Sequence, residues 1–306
     1  MAQETKTTVL VVGASGALGG MIARELLAKP GVTVRCLVRK DSRQKLASLE
    51  AAGAQVIEGD LAAGFETALA RACEGVFSVV SAVQGGPDVI IDGQLRLVRA
   101  ALGAGVRRFI PSDYSYDVLS LPEGVNINSD WRRQFALAAQ KEAAGRLELV
   151  HVMQGMFAAR NVFGFTGVID VEKGVAGYWG DGNMPVDLTT YEDTALYTAE
   201  AAVDPEPLPN RFCIRGDLLT FHEMVRTYQE ATGRKLTVQH HGALEDLRAE
   251  LERRRKAEPQ NVYSWLPLMY LRGIFEGQAR LGPVINSRYP HIRPASLKQA
   301  IEQGKL

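Results

Sequence analysis

Short, mostly apolar runs alternate through the first half of the chain with segments whose apolar residues recur every three or four positions. The runs Val9–Val12, Val32–Val38, Gln55–Ile57, Val76–Val80, Arg108–Ile110 and Leu147–Val152 read as strands buried on both faces, the signature of a parallel sheet. Between them Ala17–Lys29, Asp41–Ala52, Phe65–Cys73, Val89–Gly103 and Trp131–Ala144 carry the helical period; Leu18, Ile22, Leu26 and Leu27, for instance, form one stripe. This alternation predicts an α/β fold of Rossmann type, a doubly wound parallel sheet with right-handed crossovers.

After Gln154 the pattern loosens. Gly174–Gly182 is glycine-rich and Asp204–Pro209 is a proline-rich loop, while Glu192–Ala202, Phe221–Thr232 and Leu244–Lys256 keep a helical period. We therefore expect a nucleotide-binding domain over 1–153 and a smaller, irregular α+β substrate lobe over 154–306, some of whose segments return to the main sheet. Such a lobe would cover the C-terminal edge of the sheet, where open α/β proteins bind ligands.

The first strand runs into Gly13-Ala14-Ser15-Gly16-Ala17-Leu18-Gly19. Strand, glycine turn and helix in this order bring bare backbone and a helix N-terminus to a pyrophosphate, and each of the three tasks disfavours a Cβ. The spacing Gly13-x-x-Gly16-x-x-Gly19 differs by one residue from the stricter dinucleotide fingerprint. An NAD site usually places an acid about 20 residues beyond the glycines to hold the ribose hydroxyls. Here the second strand ends instead in Arg39-Lys40, with Arg43 close behind. A guanidinium matches a 2′-phosphate, so the expected cofactor is NADP(H). Three further strand ends face the same crevice: Asp60-Leu61, Ser81-Ala82-Val83-Gln84, and Ser112-Asp113-Tyr114. Asp60 is either an acceptor for the adenine amino group or a helix N-cap.

Composition narrows the partners. The chain has 306 residues, 46% of them hydrophobic, and equal numbers of basic and acidic side chains, 35 each. Zero net charge provides no field to draw nucleic acid or an anionic membrane. No apolar run approaches the roughly 18 residues of a membrane span, so a cytoplasmic monomer or homodimer is expected. Cys36, Cys73 and Cys213 are too scattered for a disulfide framework or zinc site and read as buried, reduced thiols.

The segments Gly13–Gly19, Arg39, Arg108–Tyr114, Gly180-Asp181-Gly182-Asn183, Glu192-Asp193-Thr194-Ala195 and Tyr289-Pro290 resemble, in order, those of the NmrA-like and isoflavone-reductase-like proteins, atypical short-chain dehydrogenase relatives. The resemblance spans nearly the whole chain. It implies a Rossmann domain, NADPH, and a lobe that holds a conjugated or aromatic substrate against the nicotinamide. It also implies that Gln154-Gly155-Met156-Phe157 lies along nicotinamide and substrate, with Met156 and Phe157 suited to a flat apolar ligand.

Reductases of that family use a lysine on the helix after strand five, and here the chain departs from them. Gln134 or Phe135 falls near that position, and Lys141 follows about two turns later, too far along the axis to take its place without a different register. No tyrosine is followed four residues on by lysine, so the usual short-chain dehydrogenase pair is absent. Tyr114 and Lys141 remain as candidate catalytic groups. Arg132 and Arg133 could orient a carbonyl or an anion, although salt bridging on a solvated face is the plainer reading. Asp113, Tyr114, Met156, Phe157, Tyr263 and Trp265 are the candidate substrate contacts; the last two belong to an aromatic stretch that is either a lid or core.

His240-His241 lies in the strand-like Leu236–His241, where neighbours point to opposite faces, so no metal site is expected. Arg253–Lys256 ends an amphipathic helix rich in acids, and the Ser42-x-x-Lys45 spacing falls on the helix after the cofactor strand; neither carries chemistry. Two functions follow: an NADPH-dependent reductase of a quinone, enone or phenylpropanoid-like compound, or a non-catalytic NADP sensor of the NmrA type.

Overall fold

The computed structural model describes residues 7–306, so Met1–Lys6 of the polar lead-in lie outside the described residues. The first half contains β1 (Thr7–Val12), α1 (Ala17–Leu27), β2 (Val32–Val38), α2 (Ala47–Ala51), β3 (Gln55–Glu58), α3 (Glu66–Cys73), β4 (Ser78–Ser81), α4 (Gln94–Gly103), β5 (Arg108–Ile110), α5 (Ile127–Ala143) and β6 (Glu148–Leu149). Its strands form one parallel sheet in the order β3-β2-β1-β4-β5-β6. The winding direction reverses between β1 and β4, which leaves a crevice at their C-terminal ends.

Period two explains why β1 is apolar throughout. Val9 and Val11 join the core that contains Ile22 and Leu26 of α1, while Leu10 and Val12 join the opposite core with Leu69, Leu97 and Phe135. The apolar stripes of the helices thus close both faces of the sheet.

Three helical segments differ from the sequence expectation. Asp41–Ala52 is a 3₁₀ segment, Lys40–Leu46, followed by the short α2, because only Leu46 and Leu49 bury enough apolar surface to anchor it. Val89–Gly103 starts as a π-turn, Asp88–Gly93, in which Gly93 packs so closely on Leu61 that a Cβ would lie 2.9 Å from that side chain. α5 begins a turn before Trp131, capped by Asn126, whose side chain accepts the N–H groups of Asn128 and Ser129.

The extended run from Leu147 divides at Val150. Its first part is β6, and its second, β7 (His151–Met153), pairs in parallel with a strand from late in the chain. The second half then continues through β8 (Met156–Phe157), α6 (Arg160–Thr166), β9 (Val175–Tyr178), β10 (Val186–Thr189), α7 (Tyr191–Val203), β11 (Arg211–Cys213), β12 (Asp217–Leu219), α8 (Phe221–Thr232), β13 (Thr237–His240), α9 (Leu244–Ala257), α10 (Val262–Phe275) and α11 (Leu297–Glu302). β11 is the partner of β7, β10 joins β8 to β12, and β9 pairs with β13.

α7 returns to the first half and packs on α1 and β1. Small residues allow the close approach, and the buried hydroxyls of Thr194 and Thr198 donate to the carbonyls of Thr190 and Thr194 in the preceding turn. At the end of α7 the wholly buried Arg108 of β5 donates to the carbonyls of Ala201, Asp204 and Glu206 as well as to Glu148. A separate core, with Phe221, Met224, Trp265 and Met269, holds α8 to α11 together. Among the described residues no helix is long and apolar enough to cross a membrane.

Candidate active site

A crevice of about 830 Å³ crosses the C-terminal ends of β1 to β5. At its centre, Gly13 has φ +94°, and a Cβ there would lie 2.4 Å from the Ala82 carbonyl oxygen. A Cβ on Gly19 would come within 2.3 Å of the Gly13 oxygen, so these two glycines serve close packing of the turn on β4 and on α1. Gly16 differs: its Cβ would meet only the Gly13 oxygen, at 3.4 Å. Together with Ser15, Ala17 and Leu18 it presents bare backbone to the crevice. No side chain caps α1, and the first N–H to bond back is that of Gly20, to the Gly16 carbonyl. The N–H groups before it lack helical acceptors, and with the helix dipole they form an anion cradle suited to a pyrophosphate.

At the β2 end, Arg39 lines the crevice with its side chain 63% exposed and only a loose 3.8 Å contact to Asp41. That freedom suits a 2′-phosphate. Its neighbours do not join it. Arg43 is drawn to Glu50 (2.7 Å) and Glu58 (3.7 Å), and Lys40 is exposed outside the lining; the lining residue here is instead the buried Ser42. Asp60 and Leu61 line the crevice as expected. The Asp60 carboxylate accepts the Ala62 N–H at 3.1 Å in the loop before α3, so it caps a turn and no helix.

Across the switch point the floor is tied down by buried hydrogen bonds. The Ser112 N–H donates to Gln94 Oε1 (2.9 Å), and its hydroxyl donates to the Val83 carbonyl (2.6 Å). Ala82, Val83, Gln84 and Ser112 therefore face the ligand space, whereas Ser81, within β4, is one residue too deep and fully buried. Gln154 is also behind the wall: its Nε2 donates to the Gly155 carbonyl, and its own carbonyl accepts the Thr189 hydroxyl.

The remaining wall is aromatic. Phe157 stacks on Tyr191 with ring centroids 4.0 Å apart and planes 13° from parallel. Asn161 Nδ2 lies 3.5 Å from the Tyr191 hydroxyl, and both residues also border a second cavity of about 600 Å³ that contains Arg160 and Phe165. Asn161 and Tyr191 were missed in the sequence; the only signal was that Tyr191 directly precedes the Glu192-Asp193 motif.

Several expected contacts lie elsewhere. Met156 precedes Phe157 on β8 and so points the other way, into the core. Trp265 is buried in that same core, donating to the Glu258 carbonyl, and Tyr263 is 78% exposed; neither lines the crevice. Tyr114 does border the crevice, with φ +33°, a left-handed backbone rare for a bulky residue, but its hydroxyl is buried near Thr198. Burial pushes that phenol well above its ordinary range, so it keeps its proton at neutral pH. Asp113 borders the crevice, but its carboxylate is buried and bonded to His151. Lys141 is exposed near the far end of α5 and lines nothing.

The two arginines of α5 separate. Arg133 follows the salt-bridge expectation, contacting Asp130 at 3.1 Å and donating to the Leu121 carbonyl. Arg132 does not: it lines the crevice, its Nε donating to the carbonyls of Ser112 (3.0 Å) and Asp113 (3.1 Å) and its Nη1 to that of Asn128 (2.9 Å). His240 stacks on Tyr178 while His241 packs by Trp179, and no metal-binding group is present among the described residues.

The chain is similar to known proteins in both sequence and fold. The sequence profile of the NmrA-like family matches residues 5–251. Pinoresinol reductase 1 of Arabidopsis thaliana is 28% identical over 307 residues, covering 94% of each chain. Pinoresinol reductase 2 of the same plant is 31% identical over 247 residues, 76% of each. The solved structure of AtPrR2 with NADP+ and (+)pinoresinol superposes with a TM-score of 0.80 at 26% identity, over 97% of this chain and 98% of the other.

Proposed function

Because the chain belongs to the NmrA-like family, we propose that it is an NADPH-dependent reductase that delivers hydride to a conjugated or aromatic small molecule: a quinone, an enone or a phenylpropanoid-like compound. The observation that carries this reading is that one crevice joins a phosphate cradle at Gly16–Leu18 and a cation at Arg39 to the aromatic wall of Phe157 and Tyr191. The pinoresinol reductase relatives support a ligand of that class.

NADPH, when bound, supplies the hydride. The backbone around Gly16 and the N-terminus of α1 would hold its pyrophosphate, and Arg39 its 2′-phosphate. Ala82, Val83, Gln84 and Ser112, fixed by the Gln94 and Val83 hydrogen bonds, form a rigid floor. Phe157 and Tyr191 hold a flat ligand from the opposite side, exclude water, and leave the 600 Å³ cavity for its distal portion.

Two titrations and one panel test the reading. NADPH binding at least about tenfold tighter than NADH is expected, and oxidation of NADPH by at least one member of a quinone and enone panel. Equal affinity for the two cofactors overturns the cofactor assignment. Tight NADPH binding without turnover across the panel would identify a redox sensor instead.

A further inference from the structure

We propose that Arg132 is an oxyanion-holding catalytic residue, and that the substrate is therefore a conjugated carbonyl compound whose oxygen becomes anionic as hydride arrives. This rests on the reductase reading given above. The geometry that carries it is a half-buried guanidinium on the crevice wall, braced by three backbone carbonyls and lacking any ion-pair partner among the described residues.

A cation taken partly out of water is usually paired, because the cost of leaving it alone exceeds the cost of pairing it. The neighbouring Arg133 obeys this rule with Asp130. On the adjoining loop, Asp113 bonds His151 through Oδ2 and makes no ion pair with Arg132. Arg132 spends Nε and one Nη1 donor on neutral carbonyls, which orient the group without cancelling its charge. Its Nη2 has no acceptor among the described residues, leaving donors for an anion arriving in the crevice.

The chemistry of arginine then limits the substrate. A guanidinium stays protonated at every working pH, so it stabilises a negative oxygen but does not deliver a proton. Addition of hydride to the β-carbon of an enone breaks the C=C π bond and moves that electron pair through the conjugated system onto the carbonyl oxygen. The resulting enolate oxygen is the group Arg132 would hold. Uptake of a proton from water at the α-carbon completes the saturated ketone, so one hydride and one proton are consumed and NADPH is oxidised to NADP+. A fixed cation aimed where charge develops is the arrangement that lowers such a barrier most. Reductive cleavages in which a leaving oxygen must be protonated gain nothing comparable from it.

The test uses protein saturated with NADP+ and 4-nitrophenol as the probe, with 4-nitroanisole as its neutral counterpart. Wild type is expected to bind the phenolate at least about tenfold tighter than the anisole and to lower the probe's apparent pKa by about one unit, read from the phenolate absorbance. Arg132→Gln should abolish both effects and Arg132→Lys restore them in part. For enones, Arg132→Gln should lower kcat/KM by about 100-fold. A wild type without preference for the phenolate overturns the proposal whether or not the variants fold, as does an Arg132→Gln protein that binds phenolate undiminished. Arg132-dependent phenolate binding without turnover of any quinone or enone would refute the reductase reading while sustaining the oxyanion site. Enone turnover that survives Arg132→Gln would do the reverse.

Discussion

His151 and Asp113 meet beneath the crevice floor, Nδ1 to Oδ2 at 2.6 Å, with both side chains almost wholly buried. The contact ties β7, which starts at His151, to the loop that follows β5, and so sets the height of that loop under the ligand. Replacing His151 by Phe leaves the carboxylate buried without its donor. A loss of about 2–4 kcal/mol is expected from urea unfolding, with a smaller loss for Asp113→Asn, which keeps a hydrogen-bonding group in place. Equal stability of His151→Phe and wild type would contradict this role.

The three glycines of the turn should respond differently to alanine. Gly13→Ala and Gly19→Ala place a Cβ 2.4 and 2.3 Å from backbone oxygens, and expression of folded protein should fall sharply. Gly16→Ala meets only a 3.4 Å contact and should fold, with a melting temperature close to wild type. It nevertheless puts a methyl group where a phosphate must approach, so NADPH affinity should drop more than about tenfold.

Arg39→Asp removes the cation at the β2 end and adds an anion beside Asp41. Charge-assisted hydrogen bonds contribute about 1.5–3 kcal/mol, so NADPH should bind roughly 10–100-fold more weakly. NADH, with no 2′-phosphate, should be little affected. Fluorescence titration with both cofactors distinguishes the outcomes; parallel weakening would mean that Arg39 only supports the fold.

Burial pushes the thiols of Cys36 and Cys73 up to about 12 and that of Cys213 up to about 11. A raised folded pKa means that at neutral pH both states keep the proton and stability is unaffected. Above the unfolded value, near pH ~8.5–9, the unfolded chain releases protons that the folded chain retains, and stability falls by up to about 1.4 kcal/mol per pH unit for each thiol. Urea unfolding from pH 8 to 11 should show this decline, flattened when all three positions are Ala. Native protein at pH 8 should resist a thiol reagent that labels all three after denaturation.

Features fixed by nearby chain were legible in the sequence, and those fixed by packing were not. The limits of β2, β5 and α8 coincide with the runs Val32–Val38, Arg108–Ile110 and Phe221–Thr232, because local period and local caps set them. That the turn from Gly13 and Arg39 at the end of β2 line one crevice was readable for the same reason: their positions are dictated by covalent spacing. Met156 and Phe157 show the other case. Adjacent strand residues face opposite ways, and only the pairing of β8 with β10 decides which enters the crevice.

Arg132 and Arg133 repeat that lesson on a helix, where neighbours diverge by roughly 100°, so that Arg132 meets the carbonyls of Ser112 and Asp113 at the crevice while Arg133 meets that of Leu121 away from it. Tyr114 borders the crevice as expected, but its hydroxyl is buried near Thr198, a tertiary contact with no local signature. The aromatic stretch around Trp265 is core because α10 packs on α9 and α6, a tertiary fact with no local signature.

Arg108 gives the fold a timetable. Its guanidinium sits in the central sheet, yet three of its acceptors are the carbonyls of Ala201, Asp204 and Glu206. A chain emerging from the ribosome can pair that charge with Glu148, but it cannot fill the remaining guanidinium donors until those residues have been made, nor can Ser78 reach the Ala202 carbonyl before then. The sheet that would hold the cofactor is thus completed only after about two thirds of the chain has been synthesised, and a fragment ending at 153 would keep Glu148 but lack the three carbonyl acceptors that complete the burial of Arg108.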